Sequence, residues 1–176
     1  MLWKQERRPA GTRMVAVIPT PIYKDGILFV CSGYGAGHDA YQISAEGGGF
    51  KLKELYKGGE LEYHHGGVIL AGDHLYGINN SKALICLDLK TGKVAWQDKT
   101  VAKGSLAYAD GLFISRAEDK KTGTVVMFEA SPAGYKEKGR FNPPDLSGWP
   151  VWAHPTISGG KLYLRDQNTL LCYAVK

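Results

Sequence analysis

The sequence predicts an all-β fold, a partial β-propeller of about four four-stranded blades. Three observations support this prediction: a hairpin unit recurs along the chain, its turns are spaced like propeller blades, and no segment shows helical periodicity. Gly and Tyr are abundant, with 23 and 10 among the 176 residues, which is typical of many short strands joined by tight turns. A chain of hairpins without helices favours an all-β architecture, and the repeat favours the propeller.

Each repeat contains an apolar strand, a two-residue turn, and a second apolar or aromatic strand. The turn residues Gly26, Asp73, Gly111 and Gly160 are 47, 38 and 49 residues apart, the spacing expected for one blade per repeat. The turn dipeptides Asp-Gly, Gly-Asp, Asp-Gly and Gly-Gly suit hairpins whose central residues have positive φ. The predicted blades cover residues 15–57, 64–98, 102–142 and 152–176. The last blade lacks a fourth strand, and residues 1–5 are expected to be an orphan fourth strand.

The second repeat carries a specific motif, CLDLKTGKVAW, which ends at Trp96. Asp88 and Thr91 are expected to satisfy backbone groups of a turn, and Gly92 to adopt its left-handed position. Trp96 should then bury its ring between neighbouring blades, and Trp3 looks like the same tryptophan from a preceding blade.

This motif matches the A-x-D-x-x-T-G-x-x-x-W pattern, so the chain resembles the pyrroloquinoline-quinone-like (PQQ-like) propeller repeat family, whose fold is that of quinoprotein alcohol dehydrogenases. The resemblance extends over nearly the whole chain and implies PQQ-like, or more generally WD40-like, blades. Family members are normally longer and exported, which implies a periplasmic or extracytoplasmic location. The N-terminus itself carries charges where a signal peptide has an apolar core.

Three arrangements would account for four blades. In the first, which we favour, the chain is a fragment of a larger ring and lacks the N-terminal blades. In the second, two chains form a homodimer that closes an eight-bladed ring. In the third, one chain forms a tight four-bladed ring. An open arc would expose apolar blade faces at both ends.

Four residues before the innermost strands are candidate ligand contacts: His65, Lys103, Trp152 and His154. Aligning the turns places them together at the mouth of the central channel, where they would suit an anionic or carbohydrate ligand. The alternative is that they line a hydrated channel and bond only to adjacent blades. His64 is adjacent to His65 on a predicted strand, so their side chains should diverge, and no metal site is expected.

The resemblance implies a non-catalytic binding or scaffold module in the bacterial cell envelope, without a cofactor, whose protein partner or small ligand docks on the propeller face. One alternative is part of a PQQ-dependent alcohol or sugar dehydrogenase, with PQQ and calcium; another is a carbohydrate-binding propeller. The dehydrogenases commonly have a vicinal cysteine pair, which this sequence lacks. The acidic residues considered near the channel mouth, Glu60, Glu62 and Asp145, are loop residues without evident partners.

Composition excludes several other classes. Cys31, Cys86 and Cys172 lie in apolar runs without a C-x-x-C spacing, so buried thiols are expected rather than a zinc site. The formal charge is +5, but the basic residues are scattered, which argues against a nucleic-acid partner. No run of 18 apolar residues predicts a membrane span.

Overall fold

The computed structural model describes residues 1–7 and 16–175, and its regular structure consists of 15 β-strands in four antiparallel sheets. These sheets confirm the predicted all-β propeller class. The described residues form no helix, and so none that is long and apolar enough to cross a membrane.

The first two sheets have four strands each, in chain order. Blade 1 contains β1 (Ile22–Lys24), β2 (Ile27–Cys31), β3 (His38–Glu46) and β4 (Gly49–Gly58). Blade 2 contains β5 (Val68–Ala71), β6 (His74–Ile78), β7 (Leu84–Asp88) and β8 (Val94–Asp98). The pairing of β3 with β4 continues to Glu46 and Gly49 beside a tight turn.

The third sheet has four strands and the fourth sheet has three. Blade 3 contains β9 (Gly104–Ala109), β10 (Leu112–Ala117), β11 (Val125–Glu129) and β12 (Glu137–Phe141). Blade 4 contains β13 (Thr156–Ser158), β14 (Lys161–Asp166) and β15 (Thr169–Ala174). Residues 1–7 have no strand assignment, in contrast to the strand expected for residues 1–5, because no described strand pairs with them. The expected outer limits of the first and last blades, Val15 and Lys176, lie outside the described residues.

The hairpin at the start of each blade is set by its turn dipeptide. Three turns have positive φ at both central residues: Asp25–Gly26, Asp110–Gly111 and Gly159–Gly160. In the remaining turn, Gly72–Asp73, only Gly72 has a positive φ, of 60°. This turn therefore differs from the expectation, because a glycine at the first central position suits a type II′ turn, which needs positive φ there alone.

The apolar side chains of consecutive blades form the core. The second residue after each hairpin turn faces the preceding blade, and the third residue faces the following blade. In blade 2 these residues are Leu75, which packs with blade 1, and Tyr76, which packs with blade 3. Both are buried almost completely, and the alternation follows from the two-residue period of a β-strand.

The motif in blade 2 has the predicted geometry. The side chain of Asp88 accepts hydrogen bonds from the Thr91 backbone N–H (2.8 Å) and hydroxyl (2.7 Å). Gly92 adopts a φ of 71°, and its N–H donates to the Asp88 carbonyl oxygen at 2.9 Å. The indole of Trp96 reaches blade 3, where its N–H donates to the Ser131 carbonyl oxygen at 2.8 Å. The motif thus turns the chain and joins two blades.

The four blades form an open arc within one chain. Contacts join neighbouring blades, as between β5 and β9 and between β9 and β13, and the described strands of blade 4 make no extensive contact with blade 1. The outer face of blade 4 is correspondingly open, with Leu170 exposed over 68% of its surface. Cys31 and Cys86 are buried as expected, but the expectation was wrong for Cys172, which is exposed on this face.

Candidate functional site

The structure brings the four predicted contact residues together on the loops that precede β5, β9 and β13. The ring of His65 lies 5.5 Å from that of Trp152, centroid to centroid. The Nε2 of His154 is 2.7 Å from the carbonyl oxygen of His65; because a carbonyl can only accept, this nitrogen carries the proton. Residues 89 positions apart are thereby joined across the arc.

Glu118 connects His65 and Lys103, although sequence reasoning missed it. Its Oε1 is 3.0 Å from the Lys103 ammonium nitrogen, and its Oε2 is 2.7 Å from the His65 Nε2. Glu118 directly follows β10, and its backbone N–H donates to the Lys103 carbonyl oxygen at 3.0 Å. The antiparallel pairing of β9 with β10 places Glu118 beside Lys103, so the hairpin register was the signal that could have identified it.

His64 also belongs to the site, contrary to the predicted divergence of the two histidines. Its ring lies 5.8 Å from that of His65, because both residues lie in a bend before β5 rather than on a strand. Its Nδ1 is 3.4 Å from the Lys103 ammonium nitrogen. The ring of Tyr34 meets the His64 ring edge-on, with 4.0 Å between the ring centroids. Burial, followed by the Lys103 charge, lowers the pKa of His64. Its Nε2 is buried and has no hydrogen-bond partner among the residues that the structure describes, so it can accept a contact from a ligand.

Two depressions meet at Trp152, whose side chain is 60% exposed. One cavity of about 640 Å³ has aromatic and histidine walls and is lined by Ala16, Ile18, Tyr34, His64, His65, Lys103, Glu118 and Trp152. The other, of about 540 Å³, is rich in lysine and is lined by Lys82, Ala102, Lys103, Glu118, Asp119, Lys120, Lys121, Pro150 and Trp152. We call the first the axial cavity and the second the lysine groove.

Trp149 lies beside the lysine groove. The Lys120 ammonium nitrogen is 5.7 Å from the centre of the Trp149 ring, within the range of a cation–π contact. The side chain of Trp149 is itself 65% exposed. Two exposed tryptophans and several ammonium groups therefore occupy one end of the arc.

The acidic residues considered from the sequence lie elsewhere. The Glu62 carboxylate accepts hydrogen bonds from the Gly35 backbone (2.8 Å) and from Asn80 (2.9 Å), so it ties loops together. Glu60 lies 4.0 Å from the buried His38. Asp145 occupies a left-handed turn position, with a φ of 54°.

The axial site does not fit the calcium ion of quinoprotein dehydrogenases. Calcium takes six to eight oxygen ligands, largely from carboxylates and carbonyls. Among the described lining residues of the axial cavity, Glu118 supplies the one carboxylate, and both of its oxygens lie next to cationic or imidazole groups. The described residues contain no group of three His, Cys, Asp or Glu side chains that could hold a metal ion. No step that depends on PQQ or calcium can therefore be assigned to these residues.

Comparison with solved structures supports the fold at low sequence identity. BamB from Moraxella catarrhalis is 12% identical with a TM-score of 0.63, covering 89% of this chain and 43% of that one. A quinohemoprotein alcohol dehydrogenase from Pseudomonas putida HK5 is 18% identical with a TM-score of 0.60, covering 84% and 28%. The computationally designed Ika4 protein is 13% identical with a TM-score of 0.61, covering 99% and 100%. The chain thus spans less than half of either bacterial protein.

The fold and the site define a β-propeller repeat protein with an aromatic and cationic surface at one end of its axis. The sequence model described as outer membrane protein assembly factor BamB matches residues 2–98, more than half of the chain. The chain therefore belongs to this family of PQQ-like propeller repeats, which confirms the resemblance inferred from the motif. A search of curated proteins found no match.

Proposed function

We propose that the chain is a non-catalytic binding module of the bacterial cell envelope, which holds an acidic segment of a protein partner at the axial cavity and the lysine groove. The observation that carries this proposal is the joining of these two depressions at the exposed Trp152. An exposed tryptophan beside ammonium groups supplies both apolar contact area and attraction for an anion.

The charges of the lysine groove support an acidic ligand. Four ammonium groups line it, against the carboxylates of Glu118 and Asp119. Asp119 is occupied by its own turn, where it accepts hydrogen bonds from the backbone N–H groups of Lys121 (2.9 Å) and Thr122 (2.7 Å). Glu118 is occupied by Lys103 and His65. The remaining ammonium groups give the groove a positive potential, which attracts carboxylates.

The polar network of the axial cavity supports a pre-organised binding site. Glu118 pairs with Lys103 through one oxygen and lies against His65 with the other, which restricts these side chains before a ligand arrives and reduces the entropy lost on binding. The paired carboxylate is arranged to hold its neighbours in position.

The cell-envelope location is supported by family membership. The matching family is described as an outer membrane protein assembly factor. A periplasmic or extracytoplasmic location would place the axial site where envelope proteins are available as partners.

Binding of a fluorescein-labelled poly-glutamate peptide, followed by fluorescence anisotropy, tests the proposal. We expect Trp152→Ala and the double variant Lys120→Glu/Lys121→Glu each to weaken binding at least about tenfold, since truncation of a hot-spot residue costs about 2 kcal/mol or more and about 1.4 kcal/mol corresponds to tenfold. The matched control is Lys51→Glu/Lys53→Glu, which makes the same charge change on the exposed strand β4. Equal weakening by the control would mean that net charge alone governs binding, and the proposal would be rejected.

Two competing functions give different outcomes in direct assays. The fold likeness to a quinohemoprotein alcohol dehydrogenase motivates an assay of dye reduction with alcohols or sugars after addition of PQQ and calcium; turnover would favour the enzyme. The exposed Trp152 also suits a sugar ring. Retention on a glycan column, lost in Trp152→Ala and His154→Ala without unfolding, would favour a carbohydrate-binding propeller.

A further inference from the structure

The open face of blade 4 carries a tyrosine–cysteine pair that blade 2 buries against the blade that follows it. Tyr163 is the third residue after its hairpin turn and pairs with Cys172. In blade 2 the same position is Tyr76, which pairs with Cys86. Tyr76 and Cys86 are covered completely by blade 3, whereas Cys172 is exposed. Blade 4 thus presents the same pair of side chains with which blade 2 contacts its successor.

The open face of blade 1 has the complementary character. Leu28 is the second residue after its turn, the position that faces a preceding blade. Its counterparts in the other blades, Leu75, Phe113 and Leu162, are buried almost completely, but Leu28 is only half-buried. Leu28 lines an apolar cavity of about 380 Å³ together with Trp3 and further residues of blade 1. This face therefore has the residues that normally receive a preceding blade.

The strand missing from blade 4 is matched by an extra segment that precedes blade 1. Blade 4 has three strands, and the outer edge of β15 has no described strand partner. Residues 1–7 have no strand assignment, yet Trp3 lies against the open face of blade 1. Trp96, on the fourth strand of blade 2, occupies the junction with blade 3 in the same manner. Trp3 is thus placed like the fourth-strand tryptophan of a blade that precedes blade 1.

We propose that two copies of the chain close a ring, in which blade 4 of each copy packs on blade 1 of the other. The N-terminal segment of each copy, residues 1–7, then pairs with the free edge of the second copy's β15 as its fourth strand. The occupant is a second copy because the chain itself carries both matching faces, and the described strands of blade 4 and blade 1 make no extensive contact within one copy. The same junction is made twice about a two-fold axis, so the assembly is closed. This inference is independent of the proposed axial ligand.

Light scattering after size-exclusion chromatography measures the assembly directly. We expect twice the chain mass of 19.2 kDa for the wild type and a single chain mass for Leu170→Glu, which places a charge on the open face of blade 4. The control Val94→Glu alters a side chain of similar kind that is 39% exposed on β8, and it should remain dimeric. A monomeric wild type, a larger open assembly, or a Leu170→Glu variant that stays dimeric would each overturn the proposal.

The thiol of Cys172 gives a second measurement that does not depend on mass. In the closed ring it is covered as Cys86 is covered, so we expect alkylation of Cys172, followed by peptide mass spectrometry, to be at least tenfold slower in the wild type than in Leu170→Glu. Circular dichroism shows whether the variant keeps its sheet structure. Equal alkylation rates in both proteins, at concentrations where the wild type is dimeric, would show that the dimer uses another surface.

Discussion

Acidification should destabilise this propeller through His38, which lies in the core of blade 1. Its side chain is 1% exposed, and its ring packs 5.4 Å from that of Phe29. Its Nδ1 accepts the Leu61 backbone N–H at 3.3 Å. Burial lowers its pKa to about 4; Glu60 acts in the opposite direction, and Arg7 adds a smaller lowering. The folded protein therefore holds this histidine neutral, whereas the unfolded chain protonates it near pH 6.5.

The size of the effect follows from the two pKa values. Between pH 6.5 and pH 4 the unfolded state binds a proton that the folded state does not, so stability falls as the pH is lowered through this window and is fully present above it. The full shift corresponds to about 3 kcal/mol. Going from pH 7 to pH 5 should cost about 2 kcal/mol of the free energy of unfolding. Such a loss is a large fraction of the stability of a typical domain.

Urea denaturation at pH 7 and pH 5, followed by circular dichroism, measures this difference. The variant His38→Asn keeps a side-chain acceptor near the Leu61 N–H but cannot be protonated in this range. We expect it to be less stable than the wild type at pH 7 and to lose most of the pH dependence. His74→Asn, at a partly exposed position, should retain it. An unchanged pH dependence in His38→Asn would refute the reasoning.

Three further predictions concern stability at pH 7, measured by urea denaturation. Trp96→Phe removes the hydrogen bond to Ser131 and part of the contact between blades, and should cost about 1–2 kcal/mol. Tyr63→Phe removes a buried hydroxyl that has no hydrogen-bond partner within residues 1–7 and 16–175, so stability should be unchanged or rise by up to about 1 kcal/mol; a loss of stability would contradict this expectation. Asp88→Ala removes the acceptor for Thr91 and should cost about 1 kcal/mol. This difference from the wild type should become smaller at low pH, because hydrogen bonding from Thr91 lowers the pKa of Asp88. A difference in stability that does not change with pH would contradict this.

Features determined by neighbouring residues were accessible from the sequence. The hairpin turns and the motif from Asp88 to Trp96 depend on backbone conformations that Gly and Asp favour within a few residues. The recurrence of these signals identified the blades and the positions before each inner strand. The same alignment brought His65 and Trp152 to one place, although 87 residues separate them in the sequence.

Features determined by contacts between distant segments were not accessible in this way. The Arg7 guanidinium donates to the Asp39 carboxylate, to the Ser32 hydroxyl and to two loop carbonyls, and no local pattern marks that clamp. Arg116 and Asp166 form a nearly unexposed pair, with 3.5 Å between Nη2 and Oδ2. A charged residue on a strand is usually exposed, so only the packing of blade 4 on blade 3 reveals that this pair is buried.

The repeat also explains why this fold can carry an adaptable binding site without losing its core. In every blade, alternate strand residues face the preceding and the following blade, so a substitution there alters the packing between two blades. Residues before the inner strands belong to loops that converge at one end of the axis, where Trp152 contacts His65 and Glu118 bridges His65 and Lys103; these residues lie outside the apolar core clusters. Substitutions at the axial site should therefore change ligand affinity at small cost in stability, whereas substitutions on the open faces should change assembly. The two properties can be separated by mutation because they depend on different parts of each repeat.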